Sequence, residues 1–310
     1  MPKAAVIDMG TNTFHLLVAE TDDKHGFREV FKVKRFVKLA EEGIAVIGVR
    51  AFHRAMETLL DYRQILDEFQ IELVKVMGTA ALRTASNGPN LLAWAKKEVG
   101  FDIQVIGGAE EARLIHQGVC FSMPEMPGRC LIMDIGGGSV EFIIAEGAKA
   151  LWAQSFPIGA AVLLREFHHR DPIDETEVAA IDGFLNQQLT PLQLALEQWP
   201  TTHLIGAAGT FDIVARQIAE PPLSPHIWHI EMEKFPPLYQ EIICTTIEER
   251  QQNSKIPIDR VDMIVVALVL IQYVLEHYRI QQFTVSAFAL KEGVMGELLG
   301  GNSELKTNEL

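Results

Sequence analysis

A short pattern occurs twice in this chain, and that repetition restricts the fold more than any other feature. Near the N-terminus stands AAVIDMGTNTFHLLVAE, Ala4–Glu20, and further on stands CLIMDIGGGSVEFIIAE, Cys130–Glu146. With Asp8 laid over Asp134, Gly10 falls on Gly136, Thr13 on Ser139, Ala19 on Ala145 and Glu20 on Glu146. Each copy is an apolar run ending in aspartate, a turn of small residues, and a second apolar run. That is hairpin chemistry: Val6–Asp8 and Leu131–Asp134 read as outgoing strands, Phe14–Ala19 and Val140–Ala145 as returning ones. Glycine weakens a strand interior, so three in succession need a local reason.

Each hairpin opens a half of the chain. At 310 residues the chain is long for one core, and two domains are expected. SMPEMPGR, Ser122–Arg129, carries two prolines and a glycine just before the second hairpin, so the boundary is set there, giving 1–124 and 125–310. In the first half, FKVKRFVKLA alternates like a half-exposed strand. Phe52, Met56, Leu59, Tyr62, Leu66 and Phe69 follow at helical spacing. LVKVMGTAALRTASNG reads as strand, turn and helix start, LLAWAKKEVG as a helix closed by Gly100, and FDIQVIGGAEEARLIHQGV as strand, glycine turn and helix. In the second half, Asp174 and Glu177 resemble a capping box, Pro191 is placed to break a helix, and THLIGAAGTFDIVARQIA repeats the strand–loop–helix theme. The last part reads as helical with one strand at FTVSAF, and the tail GNSELKTNEL as polar and frayed. The fold class is therefore α/β.

Composition excludes some functions. The chain is 48% hydrophobic, which suits a globular protein, and its net charge of −14 argues against a general nucleic-acid surface. Three scattered cysteines read as reduced thiols of a cytoplasmic protein, and MPKAAVIDMG reaches an aspartate too soon for a signal peptide. MIVVALVLIQYVLEHY meets Gln272 within a few turns, short of the about 20 apolar residues a bilayer needs, so it reads as a core helix.

A turn of small residues lets several backbone N–H groups converge on an anion, and glycine lets a phosphate approach closely. Gly136, Gly137, Gly138 and Ser139 form one candidate cradle, and Gly10, Thr11, Asn12 and Thr13 a second. Beside phosphates, a carboxylate repels unless a cation intervenes, so Asp8 and Asp134 suggest Mg²⁺. By strand alternation Glu141 points with Ser139 and could join that metal. Either loop alone reads equally as a tight turn with a capping aspartate; the matching pair favours phosphate. Glu110 and Glu111 open a helix, where acidic residues serve the macrodipole, yet a carboxylate beside a phosphate cleft can also activate water. The residues themselves leave both readings open, and Arg113 could simply pair with a glutamate. Arg83 could reach the cleft. Lys32, Lys34 and Lys38 share one predicted strand face, with Lys32 read as solvated. His168, His169, His226 and His229 lack ligand spacing and read as core or surface histidines.

Together, VIDMGTNTFHLLVAE, GTAALRTASN, VIGGAEEARLIHQGV, MDIGGGSVEFI, IGAAGTFD and SAFALKEGV resemble the exopolyphosphatase/guanosine pentaphosphate phosphatase family, in that family's order and over nearly the whole chain. The resemblance implies two ribonuclease-H-like domains of the actin, sugar kinase and chaperone superfamily around a cleft. It implies Glu111 as catalytic base, Asp134 and Glu141 as metal and active-site carboxylates, Arg83 as a phosphate ligand, and both small-residue loops as phosphate sites; Asp8 and Lys38 complete the metal and substrate sets. Inorganic polyphosphate or guanosine pentaphosphate is the implied substrate, with no nucleic acid, no membrane, and a homodimer as one open assembly. Two departures stand out: the extra C-terminal helical domains of longer members do not follow, and Val162 takes the place of a usual arginine. A superfamily kinase or ATPase, and a non-catalytic nucleotide or polyphosphate sensor, are the competing expectations.

Overall fold

The structure, a computed structural model, describes residues 2–22, 26–126, 128–220, 222 and 224–299. The tail GNSELKTNEL lies outside the described residues. The first half comprises β1 (Lys3–Met9), β2 (Thr13–Asp22), β3 (Gly26–Phe36), α1 (Val49–Glu68), β4 (Leu73–Gly78), α2 (Ala80–Thr84), α3 (Gly88–Trp94), β5 (Ile103–Val105) and α4 (Gly108–Ser122). The second comprises β6 (Arg129–Ile135), β7 (Val140–Glu146), β8 (Lys149–Phe156), α5 (Ala160–Phe167), α6 (Glu175–Gln188), α7 (Thr190–Gln198), β9 (His203–Ala207), α8 (Gly209–Ile218), β10 (Ile227–Ile230), α9 (Phe235–Ile243), α10 (Ile247–Gln252), α11 (Ile264–His277), β11 (Gln282–Ser286) and α12 (Leu290–Leu299).

The duplication extends well beyond the hairpins. One sheet runs β3-β2-β1-β4-β5; the other runs β8-β7-β6-β9-β11, with β10 added at its edge. In both, the hairpin strands are antiparallel and the inner strands parallel. Asp8 faces His15 across its hairpin, and Asp134 faces Glu141. Even the irregularities correspond: pairing slips between Val18 and Ala19 in one sheet and between Ile144 and Ala145 in the other. Each such bulge bends and twists its strand, so the two sheets curve alike.

Alternate residues of each central strand enter different cores. Ala5, Ile7 and Met9 pack with Leu59, Tyr62 and Leu66 of α1. Met133 and Phe142 pack with the apolar α11, and Tyr62 ties its hydroxyl to the Phe14 carbonyl at 2.8 Å. A third core lies between the sheets, where Val6 and Leu17 meet Ile132 and Ile143 together with Leu114 of α4 and Val294 and Met295 of α12. Each of α4 and α12 follows the last parallel strand of its sheet, so they are equivalent helices. They approach unusually closely: a Cβ on Gly118 would fall on the Ala289 carbonyl, and one on Gly293 on the Leu114 carbonyl.

Several local expectations hold. Gly100 closes its helix with φ 73°, Asp174 and Glu177 form a capping box, and Pro191 sits in the first turn of α7, after the break. Three differ. Strand β8 and the short β10, which pairs with β11, have no counterpart among the expected strands. Lys38 does not share a strand face with Lys32 and Lys34: β3 ends at Phe36, and Lys38 has φ 47°, which turns its side chain out of the alternation. No helix among the described residues is long and apolar enough to cross a membrane.

Candidate active site

The two small-residue loops meet, Gly137 and Gly138 lying against Thr11 and Asn12, and together line a cavity of about 380 Å³. Their internal geometry is the same: Gly10 N–H donates to Thr13 O at 3.1 Å, and Gly136 N–H to Ser139 O at 2.9 Å. In the second loop, the first-turn amides of α5 take the loop carbonyls. Ala160 N–H reaches Gly136 O and Ala161 N–H reaches Gly137 O, each at 2.9 Å, while Gly159 N–H reaches Gly138 O at 3.4 Å. A trans peptide points its C=O and the following N–H in opposite directions. Carbonyls held by α5 therefore turn the N–H groups of Gly137, Gly138 and Ser139 the other way, as an anion nest requires. The first loop achieves this differently. Val37 and Lys38 N–H bind Asn12 O at 3.1 and 2.9 Å, and Leu39 N–H binds Thr11 O at 2.8 Å, which turns the Asn12 and Thr13 amides. Side chains add donors, because buried Asn12 Nδ2 and Thr13 Oγ1 have no protein partner.

Carboxylates occupy the deep end. Asp8, Glu111, Asp134 and Glu141 all line the cavity. Enclosure raises the Asp8 pKa to about 6, with Lys291 opposing the shift. Burial, then the charges of Glu141 and Asp8, push Asp134 well above the usual carboxylate range. Burial also raises Glu141, partly offset by hydrogen bonds from Ser155, at 2.6 Å, and Ser139. Such crowding of buried carboxylates in one cavity raises the affinity of all three for a proton. Asp8 Oδ1 is buried without a partner. Among the described residues, no three His, Cys, Asp or Glu side chains close around one point.

Glu111 stands in the first turn of α4, 7% exposed, and its Oε2 accepts from Arg83 Nη1 at 3.2 Å. Burial raises its pKa well above the usual value, the Glu141 charge adds to this, and Arg83 opposes it. A carboxylate held in this way is a better proton acceptor than a solvated one. Arg83 also donates to Ile106 O at 2.7 Å, so it stands behind Glu111 and not among the residues lining the cavity. Glu110 points elsewhere, into a two-pronged pair with Arg113 at 2.7 Å, which accounts for both residues on α4.

Of the cations lining the cavity, Arg216, Arg260 and Lys291 belong to no basic sequence run. Lys32 borders the cavity while staying exposed, in keeping with its solvated reading, and Lys34, Arg216, Arg260 and Lys291 line the cavity as well. Lys291 is 7% exposed, paired with buried Glu292 at 3.0 Å. Lys38 is absent from the lining and binds Asp262 at 2.7 Å; Val162 is absent as well. Asp212 and His15 were missed, although His15 is the first-hairpin equivalent of Glu141. Burial, with Lys291 next, keeps His15 neutral by pushing its pKa far down.

Comparison with known proteins agrees with this architecture. The profile of the Ppx/GppA phosphatase family matches residues 17–301. An exopolyphosphatase structure from Cytophaga hutchinsonii superposes with a TM-score of 0.91 at 38% identity, covering 97% of this chain and 99% of that one. A candidate exopolyphosphatase of Haemophilus influenzae is 32% identical over 95% of this chain and 90% of its own length. A guanosine-5′-triphosphate,3′-diphosphate pyrophosphatase of Vibrio vulnificus is 30% identical over the whole chain, which spans 61% of that relative. With the duplicated sheets, the paired amide loops and the buried glutamate of α4 in one cleft, the chain belongs to the Ppx/GppA phosphatase family and is a phosphohydrolase.

Proposed function

We propose that this chain releases terminal orthophosphate from inorganic polyphosphate or from the 5′-triphosphate end of guanosine pentaphosphate. The observation that carries the reading is the convergence of two amide-lined loops and one desolvated glutamate on the same cavity. The loops grip the terminal phosphates, the amides and side-chain donors stabilising charge on the phosphoryl oxygens. Glu111 orients a water against the end phosphorus and takes its proton. A P–O bond forms as the bridging P–O bond breaks, and the shortened chain keeps the bridging oxygen. Arg83 fixes the Glu111 carboxylate in direction.

The residues present fit a divalent cation. Asp8, Asp134 and Glu141 are its candidate ligands; as no three such side chains among the described residues close around one point, one or two would bind it directly, and Mg²⁺ suits so few carboxylates because it completes its shell with water and phosphate oxygens. When bound, it supplies charge neutralisation at the anhydride. The test is orthophosphate release measured side by side on polyphosphate, guanosine pentaphosphate and ATP, with and without chelator. Release from the first or second supports the reading. ADP from ATP alone points to an ATPase or kinase, and binding without release points to a sensor.

A further inference from the structure

The segment of residues 253–263, between α10 and α11, crosses from the second sheet to the first. It contributes Pro257 and Arg260 to the cavity wall. Its root is fixed: fully buried Arg250 donates Nε to Val261 O at 2.7 Å and Nη2 to Asp171 Oδ1 at 2.8 Å. Its far side reaches the first half through two ion pairs. Asp259 Oδ2 lies 2.9 Å from Lys34 Nζ on β3, and Asp262 Oδ2 lies 2.7 Å from Lys38 Nζ.

These pairs are unequal in a telling way. Asp259 is 4% exposed while Lys34 is 45% exposed, and Lys34 lines the cavity. Asp259 also has Arg260 Nε at 3.9 Å, so it keeps a cation beside it if Lys34 leaves. Asp262 Oδ1 is buried without a partner, so that carboxylate is only half satisfied. The lysine ends are the more exposed partners, with Lys34 at the cavity wall and Lys38 just outside the lining. The Lys38 backbone is meanwhile bound to Asn12 O at 2.9 Å, joining this latch to the first phosphate loop.

We propose that Asp259 and Asp262 are specificity-determining residues that hold the ammonium groups of Lys34 and Lys38 in the place of distal phosphates. This rests on the phosphohydrolase reading above and adds a chain-length filter to it. A short substrate fills only the two small-residue loops and leaves both pairs closed. A long polyphosphate exchanges with the two aspartates, takes both lysines and loosens the strap from β3.

The test compares tripolyphosphate with a long-chain polyphosphate of tens of phosphates, using wild type and the double variant D259N/D262N. A partly exposed ion pair is worth up to about 1 kcal/mol, so freeing two lysines lowers KM for the long chain about two- to thirtyfold. KM and kcat for tripolyphosphate stay as in wild type. An unchanged KM ratio between the two substrates overturns the exchange, as does a rise in the long-chain KM. No orthophosphate from wild type on either substrate overturns the functional reading itself, and this proposal with it. A second measurement does not depend on folding of the double variant: amide hydrogen exchange of residues 253–263 in E111Q, which keeps both pairs. Long-chain polyphosphate should speed exchange there and tripolyphosphate should not; slower exchange under the long chain overturns the proposal.

Discussion

Replacing Glu111 by glutamine separates catalysis from structure with little change in shape. The amide keeps an oxygen to accept from Arg83, 3.2 Å away, and keeps the side-chain volume inside α4. What it loses is the proton acceptor. General-base catalysis contributes about 10²–10⁴-fold, so kcat for orthophosphate release should fall by that factor, a barrier increase of roughly 3–5 kcal/mol. The pH profile supplies a second measure. Burial raises the Glu111 pKa, so wild-type activity should fall as acid protonates the base, and Glu111→Gln should lose that limb. Stability should move the other way. A carboxyl that binds its proton more tightly in the folded state costs stability as pH rises from its unfolded pKa through its folded one. Glutamine removes that cost, so the variant's thermal midpoint should match wild type in acid and exceed it at pH 8. Phosphate-release kinetics and thermal melts across pH 4–8 decide the matter. Near wild-type turnover of Glu111→Gln, or inactivation by Glu110→Gln instead, refutes the assignment.

Glu110→Gln should cost little in rate, because Glu110 faces Arg113 on a half-exposed helix flank, where a first-turn charge is worth about 0.3–1 kcal/mol; steady-state kinetics check this. Asp134→Asn should abolish the response of activity to added divalent cation, read as Mg²⁺ titration of phosphate release; an unchanged titration would make the carboxylate structural. In chelator, wild type should lose about 3 kcal/mol relative to Asp8→Asn as pH rises from about 3 to about 8, since the Asp8 pKa climbs from 3.8 to about 6 on folding; urea unfolding at both ends of the range measures it. Gly159→Ala would drive a Cβ onto the backbone of Gly137 and Ser139, so it should raise KM and destabilise by about 1–3 kcal/mol, read by kinetics and melting together.

The hairpins were legible because their pattern is local: aspartate, small residues and alternating strands all lie within one stretch of sequence. The strand and glycine turn before Glu111 made its place at a helix start legible, but its role came only from the family resemblance. The cations were not legible, because Lys32, Arg216, Arg260 and Lys291 come from a strand, two helical regions and a loop that only the tertiary fold brings together. One misreading has a physical cause. Alternation was carried past the end of β3, where a left-handed residue reverses the direction of Lys38. Lys32 is solvated as a lysine on an alternating strand usually is, and it borders the cavity only because of the tertiary fold. His15 and Lys291 had a usable signal. His15 follows from the hairpin register, and Lys291 from noticing that SAFALKEGV repeats the strand–turn–helix order of VIGGAEEARL.

The glycine-mediated crossing of α4 and α12 has a consequence for how the protein comes into being. Gly118 and Gly293 let the two helices share one seam, and α12 also completes the core against Val6 and Leu17 of the first sheet. During synthesis the helix bearing Glu111 emerges early, but its packing partner emerges only after the whole second sheet. Until then the helix lacks its packing partner, and its apolar side stays open. The nascent first half is therefore an incomplete body, and the cavity is walled only when the two ends of the fold meet.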